Sequence, residues 1–109
     1  DYMYIYDCLK GYELCLENDK LIGEVINIGS GETIKIKALA SLIIAVLNTE
    51  LNFKCCSKIV HVDPRPGEVM RLKADINKAR NFGLRPDSNF TKNLIKYIEW
   101  YKDNNLLCY

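Results

Sequence analysis

The sequence predicts a small mixed α/β (α+β) domain, and three observations predict it. Apolar residues alternate with polar ones at strand spacing in several short stretches. They recur at helical spacing in three longer ones. Residues suited to helix caps and stops (Asp, Asn and Gly) stand at the joins. The chain has 109 residues, 49% hydrophobic and 27% charged, enough for one globular domain with its own core.

Tyr2, Tyr4 and Tyr6 alternate with Met3 and Ile5, which predicts a strand. Asp7 is suited to cap a helix running to about Glu17, with Cys8, Tyr12, Cys15 and Leu16 as its apolar face. Gly11 lies inside that helix and weakens it slightly. Asn18-Asp19-Lys20 is a polar turn. Residues 24–28 form a near-continuous apolar run, as in a buried strand, and lead into Gly29-Ser30-Gly31. A Gly-rich turn after a strand can cradle phosphate. Here the third glycine and the later acidic residue of a dinucleotide fingerprint are missing, so the reading is a tight turn.

A helix over residues 36–48 carries Ile36, Leu39, Ala40, Ile43, Val46 and Leu47 on one broad core stripe. Leu51, Phe53 and Cys55 alternate as in a half-buried strand, and residues 59–62 continue extended. Residues 69–73 alternate as a further short strand. Asp75 is suited to cap a short helix, with Gly83 as its stop. Asn89 caps a last helix whose Phe90, Leu94, Tyr97, Ile98 and Tyr101 fall on one core face. Residues 103–109 read as a frayed tail.

Composition excludes several classes. A net charge of +1 gives no nucleic-acid or membrane-surface signal. No apolar run approaches the ~20 residues of a membrane span. The five cysteines (Cys8, Cys15, Cys55, Cys56 and Cys108) are odd in number and lack Cys-x-x-Cys spacing. That argues against a disulfide framework and for a reducing, cytoplasmic setting. Cys55, Cys56, His61 and Asp63 can be drawn as a metal site, but they lack recognisable ligand pairs, and no metal is expected.

The richest stretch is residues 63–86. Pro64 and Pro66 bracket Arg65 and stiffen the backbone that presents it. Gly67 permits a sharp bend, and Glu68 follows. A guanidinium mounted this way suits a phosphate or carboxylate gripped by two parallel hydrogen bonds. A loop salt bridge between Arg65 and Glu68, or Arg65 tied to a helix end, is the plainer alternative.

Arg65-Pro66-Gly67-Glu68, then Ala74-Asp75, Lys78-Ala79, and Gly83 ahead of Pro86, resembles the C-terminal signature of the NAD-dependent nucleotide-sugar epimerase/dehydratase family, the extended short-chain dehydrogenase/reductases. Three other stretches are similar to the family's, in its order. They are Asp1-Tyr2-Met3-Tyr4-Ile5-Tyr6-Asp7, Gly23-Glu24-Val25-Ile26-Asn27-Ile28-Gly29-Ser30-Gly31, and the last helix ending Ile98-Glu99-Trp100-Tyr101. The chain departs from the family pattern at Tyr6, Lys35, Ala38, Leu84 and Asn93. Lys35 and Ala38 together replace a capping box.

The resemblance implies the substrate-binding C-terminal domain of a longer two-domain protein, lacking the NAD-binding Rossmann domain. It implies that Arg65 grips the diphosphate of a nucleoside-diphosphate sugar and that Glu68 accepts from the ribose. Tyr2 matches a position near phosphate or ribose, with an ordinary strand tyrosine as the alternative. Ile36 matches an apolar position near the nucleotide, with helix core as the alternative. In the family, bound NAD takes hydride from the sugar C4 and returns it, with a Tyr base and a nearby Lys. No such catalytic set lies in these residues. Tyr6 and Lys10 have the spacing, but no dinucleotide fold surrounds them. The expectation is a fragment with no catalytic residues and no cofactor of its own, inactive alone, from a homodimeric epimerase or 4,6-dehydratase that uses NAD. The alternative is a non-catalytic binding or assembly module that keeps the fold.

Overall fold

Among the described residues, four α-helices and one 3-10 turn carry the chain: α1 (Ile5–Glu17), the turn Asp19–Leu21, α2 (Ile36–Thr49), α3 (Asn77–Asn81) and α4 (Phe90–Asp103). The computed structural model describes residues 1–109 except 52, 88, 105 and 107–109. The expected frayed tail falls partly on residues outside that description, and α4 occupies its first residue. No helix is long and apolar enough to cross a membrane among the described residues.

Of the mixed α/β expectation the helices are present, while among the described residues there is no strand. The predicted strands at residues 24–28, 51–55, 59–62 and 69–73 have no helix or strand assignment among the described residues, and no backbone ladder joins them. A strand needs a paired neighbour, and alternation alone does not supply one. The strand expected over the N-terminal tyrosines fails differently. α1 already begins at Ile5, with Tyr4 as its N-cap.

The chain divides into two compact units, Asp1–Ile34 with Val69–Ser88, and Lys35–Glu68 with Asn89–Tyr109.

In the first unit α1 turns a small and polar side inward. Gly11 is buried, and a Cβ there would stand 2.7 Å from Ile28 Cδ1. The glycine that looked like a weakness is what lets residue 28 approach. Asp7 is not the cap. It lies in the first turn, fully buried, where Oδ1 accepts from Lys10 Nζ at 2.8 Å and Oδ2 from the Asp87 N–H at 3.0 Å. Leu21, Ile76, Ala79 and Leu84 are the buried apolar residues. Residues 24–28 are not buried throughout. Ile26 and Ile28 are half-buried while Val25 and Asn27 are exposed. α3 ends as expected: Gly83 has φ 110°, and the Leu84 N–H donates to Ala79 O at 3.0 Å. Its N-cap is Ile76. Asp75 closes a local turn instead, accepting from the Asn77 N–H at 3.0 Å.

In the second unit α2 packs on α4, with Val46 and Ile98 buried. Asn89 caps α4 as its sequence position predicts, its Oδ1 accepting from the Lys92 N–H at 3.0 Å. Lys35 is the N-cap of α2 and supplies no side-chain hydrogen bond. Two expected core residues lie outward, Ile36 at the start of α2 and Tyr97 on α4. After α2 the chain folds back along it. The Phe53 N–H donates to Leu47 O at 2.8 Å, and the Cys55 N–H to Asn48 Oδ1 at 2.9 Å.

Candidate functional site

Residues 65–68 form a closed turn. The Glu68 N–H donates to Arg65 O at 3.1 Å, and Gly67 takes φ 76°. Pro at the second turn position and Gly with positive φ at the third are the signature of a type II turn. No atom lies within 4 Å of where a Gly67 Cβ would be, so the glycine serves backbone conformation and not space. The Glu68 carboxylate folds back, its Oε2 accepting from the Arg65 N–H at 3.2 Å.

The loop salt bridge between Arg65 and Glu68 is not formed among the described residues. Glu68 binds the Arg65 backbone and not its guanidinium. Among the described residues, the ion pairs are Lys10–Asp7 and Lys78–Glu24, so the guanidinium is exposed and unpaired. The turn thus brings Arg65 and Glu68 together and leaves the cationic head free for an anion. Ile36 lies in the same unit, exposed; Tyr2 belongs to the other unit and is 45% exposed. Two surface clefts, of about 390 Å³ beside Glu50 and Glu99 and about 300 Å³ beside Lys73 and Arg80, are lined by none of the four.

The Gly29-Ser30-Gly31 turn is already filled by the chain's own carboxylate. Asp1 Oδ1 accepts from the Ser30 N–H at 2.9 Å and from Ser30 Oγ at 2.6 Å. Asp1 Oδ2 accepts from the Gly31 N–H at 3.1 Å and from the Ala74 N–H at 3.0 Å. Amides that would cradle a dinucleotide phosphate are therefore engaged, and these residues do not fit NAD. Of the Tyr6–Lys10 pair, the lysine is already engaged. Lys10 Nζ is bound to Asp7, and that hydrogen bond and charge hold the ammonium above the usual lysine range. Neither Asp1 nor Asp7 was singled out as a hub from sequence, since their partners lie far along the chain.

Cys8, Cys15, Cys55 and Cys56 are free thiols. Hydrogen bonds from the Ser57 side chain and backbone hold the Cys55 thiol below its usual range. Among the described residues, no three His, Cys, Asp or Glu side chains form a group able to hold a metal ion.

Comparison with known proteins supplies the class. No family model matches the chain, and no solved structure matches it. It is 30% identical over 105 residues to a Methanocaldococcus jannaschii protein assigned as a UDP-glucose 4-epimerase, covering 96% of this chain and 32% of that protein. It is 28% identical over 105 residues to a dTDP-D-glucose 4,6-dehydratase of Bos taurus, covering 95% of this chain and 29% of that protein. It is 29% identical over 104 residues to a dTDP-glucose 4,6-dehydratase of Streptomyces niveus, covering 94% of this chain and 29% of that protein. These relatives are nucleotide-sugar epimerases and dehydratases of the extended short-chain dehydrogenase/reductases, and the chain matches the C-terminal part of that family. It spans about a third of the length of these curated relatives.

Proposed function

We propose that this chain is the substrate-binding part of an NAD-dependent nucleotide-sugar epimerase or 4,6-dehydratase, and that Arg65 grips the nucleoside diphosphate. The observation that carries the reading is the 65–68 turn, in which Glu68 braces the Arg65 backbone and leaves the guanidinium exposed and unpaired. A planar fork on a braced backbone loses little freedom when it closes on a diphosphate. Glu68 Oε1 accepts from the ribose while Oε2 keeps its backbone bond. For Tyr2 and for Ile36 it is the family resemblance that supports a place near the nucleotide. NAD and the proton-moving tyrosine belong to the remaining Rossmann part of the complete protein, a cytoplasmic homodimer. There the extended segments of this chain acquire strand partners and make the α/β fold.

The test is titration calorimetry on the complete protein with a UDP-sugar and a dTDP-sugar. Arg65→Ala should weaken binding by ~1.5–3 kcal/mol, the loss expected for a hydrogen-bond partner that carries charge. Equal affinity in mutant and parent removes the assigned role.

A further inference from the structure

Two cysteines stand side by side in the second unit, on the segment that folds back along α2. Cys55 is half-buried, Cys56 is exposed, and both are free thiols. The backbone that carries them is held in place. The Phe53 N–H is tied to Leu47 O and the Cys55 N–H to Asn48 Oδ1. The Cys55 sulfur accepts hydrogen bonds from the side chain and the backbone of Ser57, and these favour its thiolate. The thiolate is the form that attacks an electrophile. One sulfur is therefore activated and partly shielded, and the second lies one peptide bond away in an exposed residue.

We propose that Cys55 and Cys56 form an oxidant-sensitive dithiol, in which Cys55 attacks a hydroperoxide and Cys56 resolves the product. In the first step the Cys55 sulfur bonds to the peroxide oxygen, the O–O bond breaks, and the leaving oxygen takes a proton and departs as water. Cys55 is then a sulfenic acid. In the second step the Cys56 sulfur attacks that sulfur, an S–S bond forms, the S–O bond breaks, and a second water leaves. The two thiols give up two electrons and two protons, and one hydrogen peroxide is reduced to two waters.

Adjacency fixes the character of the bridge. No peptide bond is cis among the described residues, and a trans peptide sets neighbouring Cα atoms about 3.8 Å apart. Disulfides ordinarily span roughly 4.4–6.8 Å between Cα atoms, and a bridge outside that geometry is strained and more easily reduced. A ring closed at residues 55 and 56 is thus readily reopened by a thiol reductant, which suits a reversible switch and not a structural staple. The chemistry is independent of the nucleotide-sugar reading, because it uses none of the residues assigned to that role.

The full 109-residue chain carries its own control, since Cys15 is an exposed free thiol in the first unit. The chain is treated with hydrogen peroxide near stoichiometry, the remaining thiols are alkylated with iodoacetamide, and the peptides are measured by mass spectrometry. Cleavage after Lys54 and Lys58 releases a peptide that holds Cys55 and Cys56 and no other cysteine. That peptide should appear unalkylated and two hydrogens lighter, at least about tenfold faster than Cys15 is oxidised. Dithiothreitol should return it to the dithiol. In Cys56→Ser the reaction should stop at a Cys55 sulfenic acid, which dimedone traps. Oxidation of Cys15 as fast as the pair in the unaltered chain overturns the proposal, whatever the variant does. So does a bridge from Cys55 or Cys56 to any other cysteine in place of the internal ring. Faster dimedone capture at Cys56 in Cys55→Ser than at Cys55 in Cys56→Ser also overturns it, because the roles would then be reversed.

Discussion

In the first unit, carboxylates join backbone segments that are far apart in the chain, whereas in the second, apolar side chains join two helices. Asp1 gathers the 29–31 turn and residue 74, and Asp7 holds residue 87 to α1. The second unit has no such hub among its described hydrogen bonds. Its buried side chains lie where α2 and α4 meet, and its bonds outside the helices are local. The difference bears on function. A carboxylate with several donors fixes irregular backbone, which a hydrophobic contact does not do. The unit with the hubs is a scaffold of positioned loops. The unit without them presents its 65–68 turn, braced only from within.

The contrast is broken most directly at Asp1. Asp1→Ala leaves the Ser30, Gly31 and Ala74 amides without their acceptor, which should cost roughly 3 kcal/mol, given ~1.5–3 kcal/mol for a hydrogen bond to a charged group. Urea denaturation of the chain followed by circular dichroism measures it. A change under about 0.5 kcal/mol means that water replaces the carboxylate freely. The hub would then be a surface decoration.

Gly11 sharpens the comparison at the next level of effect. Gly11→Val forces branched carbons onto Ile28, whose Cδ1 already stands 2.7 Å from the position of a Cβ. Overpacking of this kind costs about 2 kcal/mol. Ile28→Ala should recover part of that loss in the double variant, because the clash is between those two side chains. Thermal melts of the four proteins test it. Purely additive losses would show that residue 11 is constrained by something other than Ile28.

How far these features could be read in advance follows the range of the forces. α2 and α4 were legible because an apolar stripe and the Asn89 cap are local signals, and both helices fall within a residue or two of their expected bounds. The 65–68 turn was legible for the same reason, since Pro66 and Gly67 dictate it. Alternation at Leu51, Phe53 and Cys55 predicted which side chains are half-buried, but it could not supply a pairing strand. The start of α1 was misread because Tyr4-Ile5-Tyr6 suits either period. Asp7 was read as a local cap, and its partner is 80 residues on. Nothing in the local pattern points there. The roles of Tyr2 and Ile36 came from resemblance alone.

The smallest expected effect concerns the two helix starts of the second unit, which differ in one respect. Asn89 caps α4 through its side chain, and Lys35 at the start of α2 does not. Lys35→Ser with Ala38→Glu installs a serine at the cap position and a glutamate three residues on, satisfying two otherwise unpaired amides reciprocally. The gain should be about 1 kcal/mol, similar in size to the loss from Asn89→Ala. Both would appear as opposite shifts of the melting temperature. If the capping box leaves the melt unchanged while Asn89→Ala lowers it, the α2 start contributes nothing to the cooperative unit. Stability of the second unit then resides in α4 and the Val46–Ile98 side of α2, and residues 35–38 are free to be set by what binds near Ile36.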